Sequence, residues 1–235
     1  MIFVPSGEVY TVNMARPALS RRRIAAAAVA VADADGLPAV TTRRVGTELG
    51  VSAMALYRHV AGRQGLLEVT AALAAERTRV PPAPDDDWRA GLIALAESGR
   101  RAFAAHPWLL ALALGPDRAL DLTPPETTER LLELLGAAGL GAEEAADALL
   151  GAAAIPVGVA ALTGAGAPSA DAASALDVSG AQGDAPSPAR AALHARGLTA
   201  DVGLRVYDLT LAAYLDGVDR RVRGEAPRTT LKEDP

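Results

Sequence analysis

The chain has 235 residues, of which half are apolar and only 3% are aromatic, and it contains no cysteine. The apolar residues are mostly Ala, Leu and Val, so the composition favours α-helices and argues against a β-rich fold. The absence of cysteine excludes disulfides, zinc fingers, iron–sulfur clusters and thiol nucleophiles.

The net charge of −5 is distributed unevenly along the chain. Residues 1–79 contain ten Arg and six Asp or Glu, a net charge of +4, whereas residues 80–235 carry a net charge of −9. This asymmetry indicates a small basic module joined to a larger acidic body. A basic module is typical of nucleic-acid binding, although a solvated basic surface would give the same charges.

The first part of the chain predicts a tail followed by four helices. Residues 1–15 show no helical pattern and are expected to form a disordered tail, with Met14 as an alternative start. The basic stretch 16–23 leads into an Ala-rich helix over 24–34, and Gly36 and Pro38 end it. Further helices are predicted from Thr41 to Leu49, from a capping Ser52 to Val60, and from Arg63 to Arg79.

Pro81, Pro82 and Pro84 mark a boundary, beyond which the pattern predicts five more helices. These are placed at 85–104, 108–114, 124–138, 142–164 and 200–223. Residues 164–188 are expected to be a flexible loop, with a short helix over 188–196 and a disordered tail over 224–235. No signal peptide is apparent, and no membrane span is expected because polar residues, Gly and Pro interrupt the apolar stretch 145–163.

The segment 41–60 predicts a helix-turn-helix. Two short helices flank Gly50, and glycine tolerates the positive φ that a tight reversal needs. The apolar positions are spaced to pack the two helices on each other and on the first helix, and they are Val45, Leu49, Val51 and Leu56. The outer face of the second helix is then free to enter a DNA major groove, with cations and hydroxyl groups beside it for phosphate. Short helix pairs of this kind also occur in proteins that bind no DNA.

Residues 37–68 resemble the DNA-binding segment of the tetracycline-repressor family. The resemblance rests on the turn at 49–51, the block LYRHV at 56–60, and Arg63 followed by Leu66 and Leu67. Looser matches in the body are Asp87 with Trp88, the run 106–108, a helix led by Pro124, and the final helix.

The resemblance implies an all-α protein with two domains. Residues 16–65 would form a three-helix helix-turn-helix DNA-binding domain, and residues 66–223 a helical domain for ligand binding and dimerisation. Members of the family are homodimers that bind palindromic DNA operators, usually as repressors. The last two long helices, here 142–164 and 200–223, usually form the dimer interface. A small-molecule inducer shifts the fourth helix, here 63–79, and releases the DNA.

The resemblance also implies the residues that contact DNA. Thr42 and Arg43 come from the second helix, residues 52–55 form the base-facing tip, and the other positions contact the DNA backbone. The full set is Thr42, Arg43, Ser52, Ala53, Met54, Ala55, Tyr57, His59 and Arg63. Two features depart from the family pattern. Gly46 replaces a common Ala, at a cost in helix stability of about 1 kcal/mol, and the tip carries no side chain able to read a base through two hydrogen bonds.

The ligand site is less defined by the sequence. Tetracycline-binding members hold the drug and its metal with histidines at positions that here carry Thr78, Arg79 and Ala113, which argues against a magnesium–tetracycline ligand. Aromatic and histidine side chains of the body are candidate ligand contacts, although each fits a role in the core or at a helix end better. They are Trp88, Phe103, His106, Trp108, Tyr207 and Tyr214.

Two other classes of protein remain open from the residues alone. An enzyme is disfavoured because the sequence lacks a P-loop, a nucleophile elbow, a zinc-protease motif and a dinucleotide fingerprint. A helical scaffold without DNA binding fits the small, uncharged tip at 52–55. We therefore expect a regulator located in the cytoplasm, with no catalytic residue, no metal, no cofactor and no membrane partner.

Overall fold

The computed structural model of the protein describes residues 18–81, 87–115, 123–163 and 199–225. The described residues form α-helices and one 3₁₀ turn, Leu37–Ala39, and no strand occurs among them, which confirms the all-α fold class. The helices are α1 (Arg21–Asp35), α2 (Thr42–Leu49), α3 (Ala53–Leu56), α4 (Gly62–Thr78), α5 (Trp88–Ala105), α6 (Trp108–Leu114), α7 (Pro125–Ala137), α8 (Ala142–Leu162) and α9 (Ala200–Val222).

Most of these helices begin and end within three residues of the predicted positions. Four predicted segments fall wholly or largely outside the described residues. They are the tail over 1–15, the loop over 164–188, the short helix over 188–196 and the tail over 224–235.

The N-terminal helices are held by side-chain caps and a shared core. Ser20 caps α1 by accepting from the Arg23 backbone N–H at 3.2 Å, and Thr41 caps α2 by accepting from that of Arg44 at 3.1 Å. The apolar sides of α1 to α4 then pack together and against α5 and α6. The largest fully buried side chains of this core are Ile24, Val29, Val31, Val40, Val45, Leu56, Leu66, Leu67 and Leu109.

Helix α3 is shorter than the sequence predicts. The sequence pattern extends it to Val60, but the regular helix ends at Leu56 and residues 57–59 form a turn. The N–H groups of His59 and Val60 both donate to the Leu56 carbonyl, at 2.8 and 3.0 Å, which tightens the chain there. Leu56 and Val60 are both buried, so their spacing fits a turn as well as a longer helix.

The body is centred on α5 and α8, with α7 and α9 packed against them. Gly99 of α5 faces Pro156 of α8, and a Cβ atom on Gly99 would lie only 3.0 Å from the proline ring. Glycine therefore permits the close approach of these two helices. The body has a second buried cluster, formed by Leu92, Ala96, Leu135, Leu140, Ala145, Ala148, Ala152, Tyr207, Leu211, Leu215 and Val218.

One described helix, α8, is long and apolar enough to cross a membrane, with a mean hydropathy of 1.8 in its most apolar window. Its Ala145, Ala148 and Ala152 side chains are buried. The helix also contacts α5, α7 and α9. Only 28% of that window is buried, and length with composition alone is weak evidence for a membrane span.

Candidate functional site

The α2–α3 turn places two short helices at a sharp angle. Gly50 ends α2 in the left-handed region, with φ 66° and ψ 37°, a conformation that glycine adopts without a steric penalty. The Val51 N–H donates to the Gly46 carbonyl at 2.9 Å. A Cβ atom on Gly46 would lie 2.9 Å from the Val51 carbonyl oxygen, so this glycine allows the turn to pack directly on α2.

The outward side of α3 carries the residues predicted to face DNA. Ser52 stands at the N-cap position of the helix, although its hydroxyl makes no capping bond. Met54 is 75% exposed and Tyr57 is 51% exposed, whereas Leu56 between them is fully buried. Ala53 and Ala55 lie at the edges of the same surface. This tip is small, projecting and free of charge, so it can approach base edges and thymine methyl groups closely.

Tyr57 and Thr42 join the two helices at this surface. Their hydroxyl oxygens lie 3.5 Å apart, which brings the start of α2 next to the end of α3. His59, in the turn after α3, is half-buried. Hydroxyl, imidazole and backbone N–H groups of this kind bind phosphate oxygens in DNA complexes.

Four arginines lie in α2, in the turn after α3 and at the start of α4, but they differ in their partners. Arg44 donates to Glu48 at 2.8 Å and to Asp35 at 3.1 Å, and these hydrogen bonds raise the pKa of its guanidinium above the ordinary value. Arg43, Arg58 and Arg63 are exposed, and none of them forms an ion pair with another described residue. These three cations are therefore available to an external anion.

The structure divides the candidate ligand residues between two places. Phe103, His106 and Trp108 are buried at the α5–α6 corner, beside α1. Tyr207 belongs to the second cluster, where α9 meets α5 and α8, and Tyr214 packs against that cluster. The five residues are therefore not brought into one site. Trp88, at the start of α5, packs partly buried against the second cluster.

Residue Asp33, which sequence reasoning missed, links α1 to the α5–α6 corner. Its Oδ1 lies 2.8 Å from His106 Nδ1 and accepts from Trp108 Nε1 at 2.7 Å. The partners lie more than 70 positions away in the chain, so no local pattern pairs them. The only available signal was a carboxylate in the apolar run of α1. A cavity of about 340 Å³ adjoins this contact, lined by Asp33, Leu37, Pro38, Pro107, Trp108 and Ala111 among others.

Tyr214 has a structural role in the second cluster. Its hydroxyl donates to the carbonyls of Asp147 and Ala148, at 3.1 and 2.9 Å. A Cβ atom on Gly151 would lie 2.2 Å from this hydroxyl, so the tyrosine packs over the glycine and binds α9 to α8. Burial raises the pKa of Tyr214, so its hydroxyl stays protonated at neutral pH.

Two protein-family models match the sequence, and together they cover most of it. The model described as "Tetracyclin repressor-like, C-terminal domain" matches residues 80–222. The model described as "Bacterial regulatory proteins, tetR family" matches residues 24–70. The chain belongs to the tetracycline-repressor family. The N-terminal match contains the helix-turn-helix of α2 and α3, and the C-terminal match begins just after α4.

Curated relatives include repressors of this family. The chain is 37% identical over 145 residues to the HTH-type transcriptional repressor DrrR1 of Streptomyces coeruleorubidus, a match that covers 57% of this chain and 50% of the relative. It is 35% identical over 117 residues to the class A tetracycline repressor of transposon 1721 from Escherichia coli, which covers 49% and 53%. The chain thus spans about half the length of the curated relatives it matches.

Solved structures of tetracycline-repressor family proteins share the fold along most of the chain. Apo ActR from Streptomyces coelicolor is 27% identical with a TM-score of 0.64, over 88% of this chain and 98% of that one. ActR in complex with actinorhodin is 26% identical with a TM-score of 0.63, over 87% and 97%. TetR from Acinetobacter baumannii, at 23% identity and a TM-score of 0.62 over 87% and 99%, shares the fold alone.

Proposed function

We propose that the protein is a ligand-responsive transcriptional repressor. In this proposal it binds a palindromic operator as a homodimer in the cytoplasm, has no enzymatic activity, and leaves the DNA when a small-molecule inducer binds. The observation that carries the proposal is the uncharged, exposed tip of α3, which stands on a buried core, together with three exposed arginines of α2, α4 and the turn after α3 that lack an ion-pair partner among the described residues. Relatives that are repressors, and a family structure with actinorhodin bound, support it.

The DNA contacts follow from the surface described above. Residues 52–55 enter the major groove, where Met54 and the two alanines contact thymine methyls and base edges. The remaining side chains bind phosphates on either side and fix the position of α3 in the groove. They are Thr42, Arg43, Tyr57, His59 and Arg63.

A homodimer is supported by the outward faces of α8 and α9. In α8 the exposed residues Leu150, Ala154, Gly158 and Leu162 follow one another at four-residue intervals, which places them along one side of the helix. In α9 Leu209 is 73% exposed, next to the exposed Ala212 and Ala213. Apolar faces on two long neighbouring helices are typical of a surface that a second copy covers.

Coupling between ligand and DNA requires that the body and the DNA-binding helices move together. Helix α4 contacts both α1 and α5, so a change in the body reaches the helix-turn-helix through it. The Asp33 contact with His106 and Trp108 provides a second connection. An inducer that binds more tightly to the geometry unsuited to DNA lowers the affinity of the protein for DNA. The size of this effect is set by the difference between the inducer's affinities for the two geometries.

The decisive experiment is selection of bound duplexes from a random DNA pool by the purified protein at near-physiological salt. We expect enrichment of one palindromic consensus, with the enrichment lost in Arg43→Ala and in Tyr57→Ala. Arg77→Ala is the matched control, because this exposed arginine lies in the last turn of α4, away from α3. Failure of a folded, dimeric protein to enrich any sequence would refute the proposal.

A further inference from the structure

The cavity beside Asp33 lies between the N-terminal helices and the body. Its volume of about 340 Å³ is at the small end of the range for small-molecule sites. One wall is formed by the end of α1 and the 3₁₀ turn after it, and the other by the α5–α6 corner. The first wall belongs to the segment matched by the N-terminal family model, and the second to the segment matched by the C-terminal one. We therefore call this cavity the boundary pocket.

The side chains that line the boundary pocket are apolar except for one carboxylate. Among the described residues that line it, Asp33 alone is charged. The apolar surface comes from Leu37, Pro38, Pro107 and Trp108, together with three alanines. Apolar walls with a single charged group favour a ligand that has an apolar body and one complementary charge.

One oxygen of the Asp33 carboxylate is open to a ligand. Oδ1 lies 2.8 Å from His106 Nδ1 and accepts from Trp108 Nε1 at 2.7 Å. No hydrogen bond joins Oδ2 to another described residue, and no arginine or lysine of the described chain forms an ion pair with this carboxylate. The side chain is 39% exposed. Oδ2 can therefore accept from a donor that enters the pocket.

Trp108 adds a second group that favours a cation. Its indole ring lines the pocket, and the hydrogen bond from Nε1 to Asp33 fixes the orientation of the ring. The face of an indole attracts positive charge, and so does a carboxylate. An anionic ligand would instead be repelled by Asp33. The two groups together select a positively charged ligand.

We propose that the boundary pocket binds a small organic cation, in which an apolar body carries a protonated amine or an amidinium group. The cationic nitrogen donates to Asp33 Oδ2, and the apolar body packs against the pocket walls. This site differs from the inducer site of the proposed function, because it lies between the two matched segments rather than within the body. Its occupation does not depend on whether the protein binds DNA.

Titration with 2-phenylethylamine at neutral pH tests the site, with the fluorescence of Trp108 as the readout. The chain has two tryptophans, so the full-length Trp88→Phe protein reports on Trp108 alone. We expect a saturable change in fluorescence, and about tenfold weaker binding when Asp33→Asn is added. The asparagine keeps an oxygen for the Trp108 indole N–H and removes the charge. Asp35→Asn is the matched control and should bind the amine like the parent protein, because Asp35 does not line the pocket.

Two further measurements test the charge and the location of the ligand separately. The neutral isostere 2-phenylethanol should bind about tenfold more weakly than the amine. Ala111→Phe should abolish binding, because Ala111 is exposed at the pocket wall and a ring there fills the space without entering the core. Circular dichroism checks that each variant is folded, and Ala111→Phe serves as the test of the site if Asp33→Asn does not fold.

Three results would overturn the proposal. They are the absence of saturable binding of the amine, equal affinity of the amine and the alcohol, and unchanged binding of the amine in folded Asp33→Asn or Ala111→Phe protein. A protein that selects no duplex but binds the amine in an Asp33-dependent manner would refute the repressor function and leave the boundary pocket in place.

Discussion

Arg43 and Arg44 are adjacent in the chain but differ in their ion-pair partners. Arg44 is fixed on the protein by Glu48 and Asp35, so much of its charge is already compensated. Arg43 has no ion-pair partner among the described residues and is exposed at the start of α2. Positive side chains and free N–H groups at a helix N-terminus together attract phosphate. The two arginines therefore make a matched pair for measuring phosphate contacts.

We expect Arg43→Ala to weaken DNA binding and to reduce its salt dependence. Each phosphate contact contributes roughly 0.9 to the slope of log affinity against log salt, and a dimer would lose one contact in each subunit. Arg44→Ala should change the slope much less. Both slopes come from binding titrations with the selected operator at several salt concentrations. A loss of slope as large in Arg44→Ala as in Arg43→Ala would contradict the assignment.

Residues of the proposed DNA-binding surface lie close together in the sequence, so their placement relative to one another could be predicted from it. The apolar positions 45, 49 and 56 and the turn at Gly50 fix which side of α3 faces outward. The candidate ligand residues could not be assigned to one site in this way. Phe103 and Tyr207 are both aromatic side chains in helices, yet one belongs to the core shared with α1 and the other to the cluster under α9. Which cluster an aromatic residue joins depends on contacts between helices far apart in the chain.

At the scale of elements, the contact of α1 with the α5–α6 corner depends on the single carboxylate of Asp33. Asp33 accepts the hydrogen bond of the Trp108 indole N–H, and Trp108 is buried. We expect Asp33→Ala to lower the free energy of unfolding by roughly 1–3 kcal/mol, because it leaves the buried polar groups of Trp108 and His106 without this partner. Urea denaturation followed by tryptophan fluorescence measures the change.

Asp35→Ala is the control for this prediction. Asp35 lies about half a turn further along the same helix, and among the described residues it forms an ion pair with the exposed Arg44 alone. Exposed ion pairs contribute little to stability, so this variant should unfold at nearly the wild-type urea concentration. Equal destabilisation of the two variants would show that a general effect on α1, rather than the contact with His106 and Trp108, is responsible.

Element boundaries were predictable where proline, glycine or a capping residue marks them. Pro107 and the apolar run after it predict α6 at 108–114, which is where the structure has it. The end of α3 was not predictable, since Leu56 and Val60 keep helical spacing although the backbone between them turns. Apolar spacing reports which residues are buried, and a single tight turn leaves that spacing intact.

At the scale of the whole molecule, recognition of a palindrome requires two copies of α3 held at a fixed separation. Helix-turn-helix dimers read half-sites about 34–36 Å apart, so a monomer would contact only one of them. The separation in this protein would be set by the faces of α8 and α9 that remain exposed in the single chain. Leu209, near the middle of the exposed side of α9, is the largest apolar contribution that helix offers there.

We expect Leu209→Arg to dissociate the dimer without unfolding the chain, because it places charges on both sides of a symmetric interface while leaving the buried side of α9 unchanged. Leu114→Arg is the matched control, since Leu114 is 61% exposed but lies at the end of α6, away from that face. Sedimentation should give twice the chain mass for wild type and Leu114→Arg, and the mass of one chain for Leu209→Arg. Circular dichroism should show that Leu209→Arg remains helical.

The Leu209→Arg monomer should also bind the palindrome far more weakly than the dimer does, because its single helix-turn-helix contacts only one half-site. A Leu209→Arg protein that remains dimeric and binds the operator as the wild type does would place the dimer interface elsewhere.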